Sequence, residues 1–257
     1  MLKEAFSIAR RNVVIYITYV LLLFAAQIAD EYLKGSSSTV VSTFLLCTLS
    51  MNVQESILWN LDFKATVKHG DFKLLRFFFK PGGFSLLSFF FKSAALFLIA
   101  LLIMLPFLYF LLKGRDLFSF ALWSIFAGML IFSAIFSIVM AFFGTWLPAG
   151  LHGVNSSFGD AFQRGKVRFL ATYGRVLAGV TMPVLAAMAA VIVSAIFTGP
   201  DLLMDGRPNI PLAVVMIISL SFQVMGWTYI SVVLTRRYME AEHIDAPPAV
   251  KELLAVV

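Results

Sequence analysis

Residues 84–112 read FSLLSFFFKSAALFLIALLIMLPFLYFLL. Lys92 is the only charge in this run and Pro106 its only proline. A helix that crosses a bilayer needs about 20 mainly apolar residues. At about 1.5 Å of rise per residue the run would reach roughly 44 Å, beyond a hydrocarbon core of about 30 Å. It therefore tilts, or its Lys92 end lies outside the core. Polar and apolar residues do not alternate at period two, so a strand is excluded. A backbone in lipid must also satisfy its own hydrogen bonds. The run reads as a transmembrane helix, with Pro106 as the place for a kink.

Five more runs of this kind lie at 12–28, 39–60, 118–149, 176–198 and 210–235. The expected fold is therefore all-α: a polytopic integral membrane protein with six transmembrane helices in a single domain. Composition agrees. Of 257 residues, 60% are hydrophobic and 13% charged, against about 45–50% and about 25% in soluble domains. Lys3, Arg10 and Arg11 precede the first run as in a signal peptide, but the run is too long for one and no A-x-A site follows it. The single cysteine, Cys47, can form no internal disulfide and belongs to no CxxC pair.

Charge sets the orientation. Fifteen of the 20 Lys and Arg fall on one side of the six runs, in the N-terminal tail, 61–83, 150–175 and the C-terminal tail. The other side holds Lys34, Lys113, Arg115 and Arg207. Both termini are expected in the cytoplasm. Anionic membrane lipids are the expected partners of this basic face, and nucleic acid is not.

The two large cytoplasmic connections resemble each other at an offset of 95 residues. FKATVKHGDFKLLRFFFK begins at Phe63 and FGDAFQRGKVRFLATYGR at Phe158. Identities are few, so chance competes with a true hairpin repeat covering 39–112 and 134–198. Each segment reads as an amphipathic elbow lying in the membrane interface. Lys73, Arg76 and Lys80 fall at i, i+3 and i+7. Arg164, Arg168 and Arg175 carry the charge of the second elbow. Recognition of a lipid headgroup or an acidic partner is the specific reading; a topology signal plus anchoring is the plainer one.

The stretch 143–179, FGTWLPAGLHGVNSSFGDAFQRGKVRFLATYGRVLAG, resembles a pattern in bacterial six-helix membrane proteins. These are related to the membrane domain that accompanies some glycerophosphodiester phosphodiesterases. Pro148, Ala161, Arg164, Gly165 and Phe169 carry the likeness. The usual Ser-Trp of the amphipathic helix is absent, and no phosphodiesterase domain is attached. The resemblance implies a fold and a bacterial inner membrane, and no activity.

Chemical motifs are scarce. Two ionisable residues fall inside spans, Glu55 and Lys92, and such residues are functional candidates. They lie at similar depth on neighbouring antiparallel helices, where they can pair as a gate or proton-coupled site. The plainer readings are a structural pair or a snorkelling Lys92. His69, His152 and His243 are far apart. No HExxH, GxSxG or Walker motif is present. No catalytic residue, metal or cofactor is expected. The sequence thus points to a non-enzymatic membrane protein that binds lipid or another membrane protein, as an accessory or assembly subunit. The alternative is a transporter or channel for a small or amphipathic solute.

Overall fold

The structure is a computed structural model and describes residues 1–33, 38–59, 86–112, 117–154, 156–193, 203–204 and 207–244. In chain order the elements are α1 (Leu2–Arg11), α2 (Val13–Leu33), α3 (Ser38–Trp59), α4 (Leu86–Leu112) and α5 (Leu117–Phe143). They continue with α6 (Trp146–Leu151), α7 (Phe158–Val167), α8 (Phe169–Val193), the short strands β1 (Leu203–Met204) and β2 (Arg207–Pro208), and α9 (Ile210–Ala241). β1 and β2 form one antiparallel pair. All other regular structure among the described residues is helical.

Helices occupy all six apolar runs. Four of them, α2, α4, α8 and α9, are long and apolar enough to cross a membrane, which makes this a multi-pass chain. Ser50, Asn52, Gln54, Glu55 and Ser56 dilute the apolar character of α3. The apolar part of α5 among the described residues, Ala127–Phe143, is shorter than a full span.

The structure breaks one expected run and the second elbow, and adds a helix before the first run. The run 118–149 is two helices, broken at Gly144 and Thr145. Pro148 has no N–H to give to the Gly144 carbonyl, which instead accepts from Leu147 N at 3.2 Å. The N-terminal tail is a helix, α1. It ends at Asn12 (φ −115°, ψ 30°), whose Nδ2 donates to the Ile8 carbonyl at 2.9 Å. The second elbow is not one helix: α7 stops at Arg168 (φ −133°, ψ 39°), and Phe169–Arg175 already belong to α8.

The long helix α9 organises the bundle. It packs against α8, α3, α2 and α1, while α4 and α5 pack on each other and close the ring through α3 and α8. Its 32 residues extend roughly 48 Å, so about a third of it projects past a hydrocarbon core of about 30 Å. The α8–α9 crossing is tight because it uses glycines. A Cβ on Gly226 would meet the Gly179 carbonyl at 2.6 Å and the ring of Pro183. A Cβ on Gly179 would meet Ile230 Cγ1 at 2.8 Å. Small residues let helix backbones approach in this way inside membranes, where lipid removes the hydrophobic drive between helices.

Two cores flank the wall formed by α3 and α9. Leu23, Leu49, Val53 and Val224 fill the one under α1 and α2. Phe89, Leu96, Val139 and Val233 fill the one under α4, α5 and α8. Polar contacts tie α2, α3 and α9 together. Tyr16 Oη and Thr228 Oγ1 lie 2.9 Å apart, Ser50 Oγ and Ser231 Oγ 2.7 Å, and Asn52 Nδ2 donates to Tyr19 Oη at 3.3 Å. Each such interhelical bond contributes on the order of 0.6 kcal/mol in a membrane.

Candidate functional site

One end of the bundle collects the C-terminal ends of α3, α5 and α9 and the N-terminal ends of α4 and α8. Helices α1, α6 and α7 pack across this end. Those of the residues expected to carry function that the structure describes lie here.

The surface helix α7 is built to start sharply. Ser157 caps it: Asp160 N donates to Ser157 Oγ at 3.1 Å, and Ser157 N donates to Asp160 Oδ2 at 2.8 Å. This reciprocal box satisfies two orphan donors at the start of the helix. The Ser157 N–H, seconded by its hydroxyl and by Arg164, holds the Asp160 carboxyl below the usual carboxylate range. Gly165 lets α7 lie on α5, since a Cβ there would meet the Ala141 carbonyl oxygen and Phe142 Cα at 2.6 Å each. Phe158 stacks on Phe143 at 4.0 Å between ring centroids, and Phe162 on Phe142 at 5.2 Å.

Arg164 faces inward from α7, with 9% of its side chain exposed. Its Nη1 donates to Glu242 Oε1 at 2.7 Å and its Nη2 to Ser156 Oγ, while Nε reaches Thr145 Oγ1 at 3.5 Å. The guanidinium lies 5.4 Å from the centroid of the Tyr238 ring. Tyr238 Oη is 3.0 Å from His152 Nδ1, and the His152 ring lies 5.5 Å from that of Trp59. Trp146 Nε1 donates to the Ser156 carbonyl at 2.9 Å, and the Lys92 ammonium sits 4.6 Å from a Trp146 ring centroid. One connected set of side chains thus joins α3, α4, α6, α7 and α9.

Ion pairs extend this set outward. Glu240 receives Arg237 and, at 3.4 Å, Arg168; Glu4 of α1 receives Arg236 at 2.5 Å. Acids near a helix C-terminus oppose the helix dipole. At this end of α9, Arg164 of α7, Arg168 at the C-cap of α7 and Arg237 of α9 itself offset that cost.

The expected site residues divide in this geometry. Arg164 is spent on internal contacts. Arg168 is 66% exposed, and Arg175 is exposed on α8 with its Nη1 3.1 Å from Met1 Sδ. Lys73, Arg76 and Lys80, with the whole first elbow of the hairpin repeat, lie outside the described residues. Glu55 and Lys92 are half-buried on α3 and α4, which pack together, and both are engaged within the protein. Among the described residues no group of three His, Cys, Asp or Glu is placed to hold a metal ion.

Sequence reasoning missed α1, although its signal was present. Leu2, Ala5, Phe6 and Ala9 fall at i, i+3, i+4 and i+7, the stripe of an amphipathic helix. Ala5 is buried against the bundle, while Leu2 and Phe6 remain exposed beside the exposed Lys3 and Arg10. The α7–α8 junction repeats the combination, with Val167 and Leu170 exposed beside Lys166 and Arg168. Cations flanking exposed apolar side chains suit the headgroup boundary of a bilayer. The pairing of Arg164 with Glu242, 78 residues away, had no sequence signal.

Comparison of the chain with protein-family models, with characterised proteins and with solved structures finds no match.

Proposed function

We propose that this chain is a non-enzymatic protein of a bacterial inner membrane, with six spans and both termini in the cytoplasm. It works by binding anionic lipid, or a neighbouring membrane protein, as an accessory or assembly subunit. The observation that carries this reading is the division of labour at the α6–α7 end of the bundle. Arg164 locks the platform, and Lys3, Arg10, Lys166, Arg168 and Arg175 stay at the surface beside exposed Leu2, Phe6, Val167 and Leu170. The cytoplasmic placement rests on the charge bias, and the bacterial inner membrane on the resemblance over 143–179. Each Lys or Arg near an anionic membrane surface contributes about 1 kcal/mol of attraction.

Thermal unfolding of the detergent-purified protein tests the reading. A ligand that binds only the native state raises stability with its concentration. Added phosphatidylglycerol is expected to raise the melting temperature, and phosphatidylcholine to leave it nearly unchanged. Equal responses to the two lipids, with no protein companion on purification, overturn the proposal.

A transporter remains the second reading, favoured by one observation. Gln54 is fully buried in the polar contact between α3 and α9, and its Oε1 has no donor among the described residues. Solute flux into proteoliposomes that Gln54→Leu abolishes would support it; flux equal to that of empty liposomes would exclude it.

A further inference from the structure

The outward face of α9 changes character along its length. Val214, Ile218 and Phe222 are exposed at i, i+4 and i+8, and Met225, Tyr229 and Arg236 continue the same face. Arg236 is covered by α1 through its bonds to Glu4, at 3.0 and 2.5 Å. Helix α1 therefore covers the stripe at its basic end and leaves it open beyond. The flanks of α9 are occupied: Thr228 bonds to Tyr16 of α2 on one side, and Gly226 meets Gly179 and Pro183 of α8 on the other. The stripe is thus an open apolar face of α9, flanked by α2 and α8 and bounded by α1 at its head.

Arg175 stands at that head. It is exposed, lies one turn before Gly179 at the crossing with α9, and reaches Met1 of α1. Among the described residues its hydrogen-bond partner is a thioether sulfur, a weak acceptor for a guanidinium with five N–H donors. Lys3 follows on the exposed side of α1. From the level of Arg175 to Phe222 is about ten residues of α9, or roughly 15 Å, close to half of a hydrocarbon core of about 30 Å.

We infer that this face binds one anionic phospholipid, with its phosphate on Arg175 and an acyl chain laid along Tyr229, Met225 and Phe222. The inference rests on the lipid-binding reading above and gives it a location. Guanidinium matches phosphate through paired N–H donors. The apolar stripe below accepts a hydrocarbon chain, which an acidic peptide or a free anion lacks.

Native mass spectrometry of the full chain in detergent, titrated with phosphatidylglycerol or phosphatidylcholine, tests it. The wild type is expected to retain phosphatidylglycerol in preference. Arg175→Gln should weaken that binding by about tenfold, the loss of one charge-assisted hydrogen bond. Lys113→Gln, at the opposite end of the bundle in the proposed orientation, should leave it within about twofold, as expected for a charge more than a screening length from the site. Melting without added lipid checks that Arg175→Gln folds like the wild type. Inorganic phosphate at millimolar concentration should not displace the lipid; displacement overturns the acyl-chain half of the site. Unchanged phosphatidylglycerol binding in Arg175→Gln, in a wild type that still prefers phosphatidylglycerol, overturns this location and leaves the lipid-binding function standing. Equal retention of both lipids by the wild type overturns both.

Discussion

Replacing Arg164 by Met removes the charge and keeps most of the side-chain volume. The ion pair with Glu242 is partly solvated, since Glu242 is 38% exposed, and is worth about 0.5–1 kcal/mol. The part-buried hydrogen bond to Ser156 Oγ contributes about 1 kcal/mol. The guanidinium over Tyr238 adds about 0.5–1 kcal/mol. The total is about 2–3 kcal/mol, concentrated on the docking of α7 against α9. Hydrogen exchange of the purified protein reads this directly, because local opening sets the exchange rate of the α7 amides. Exchange in α7 should accelerate by roughly 30- to 140-fold, at about 1.4 kcal/mol per decade, and α8 should stay protected. Arg168→Gln is the matched control: its pair with Glu240 is long, at 3.4 Å, and solvated on both sides. It should change α7 exchange less than about threefold. Wild-type exchange of α7 in the Arg164→Met protein refutes the latch.

Three further outcomes follow from the geometry. Gly226→Ala should destabilise the bundle by about 1–3 kcal/mol, seen as an earlier midpoint of SDS-induced unfolding, because the new methyl enters the space of Pro183 and the Gly179 carbonyl. The Asp160 carboxyl is depressed in the folded protein, so its contribution to the α7 cap is complete above the unfolded carboxylate pKa of about 3.9 and is lost as pH falls through the lower folded value. Intrinsic-rate-corrected α7 protection should thus be flat from neutral to mildly acidic pH and fall only in strong acid, whereas Asp160→Ala should lower it throughout. In a Cys47→Ser background, which removes the sole cysteine, Gln163→Cys should react with an impermeant maleimide only from the cytoplasmic side and Lys113→Cys only from the opposite side. The reverse pattern would invert the proposed orientation.

The sequence made the helices legible because spans announce themselves by length and apolarity. All six runs hold a helix, and four meet the demand of a full crossing on the described residues. What it hid were the breaks and the tertiary pairings. Nothing local shows that Leu234 of α9 would crowd Gly144, where an added Cβ would come within 2.6 Å of Leu234 Cδ2. The basic residues of 158–175 look equivalent in sequence. Packing divides them, because Arg164 lies on the α7 side that faces Tyr238 and Glu242, while Arg175 has already passed into α8. The capping box at Ser157 and Asp160 and the amphipathic stripe of α1 were readable in principle, and both fix surface helices rather than spans.

The most direct test of the lipid-binding proposal is the lipid that leaves a native membrane with the protein. Purification in mild detergent, followed by quantitative mass spectrometry of the retained phospholipid, gives the ratio of anionic to zwitterionic species in the sample and in the bulk membrane. The expected result is a clear enrichment of anionic phospholipid with the wild-type protein, reduced in Arg175→Gln. A retained pool with the composition of the bulk membrane, and no protein companion, would contradict the proposal.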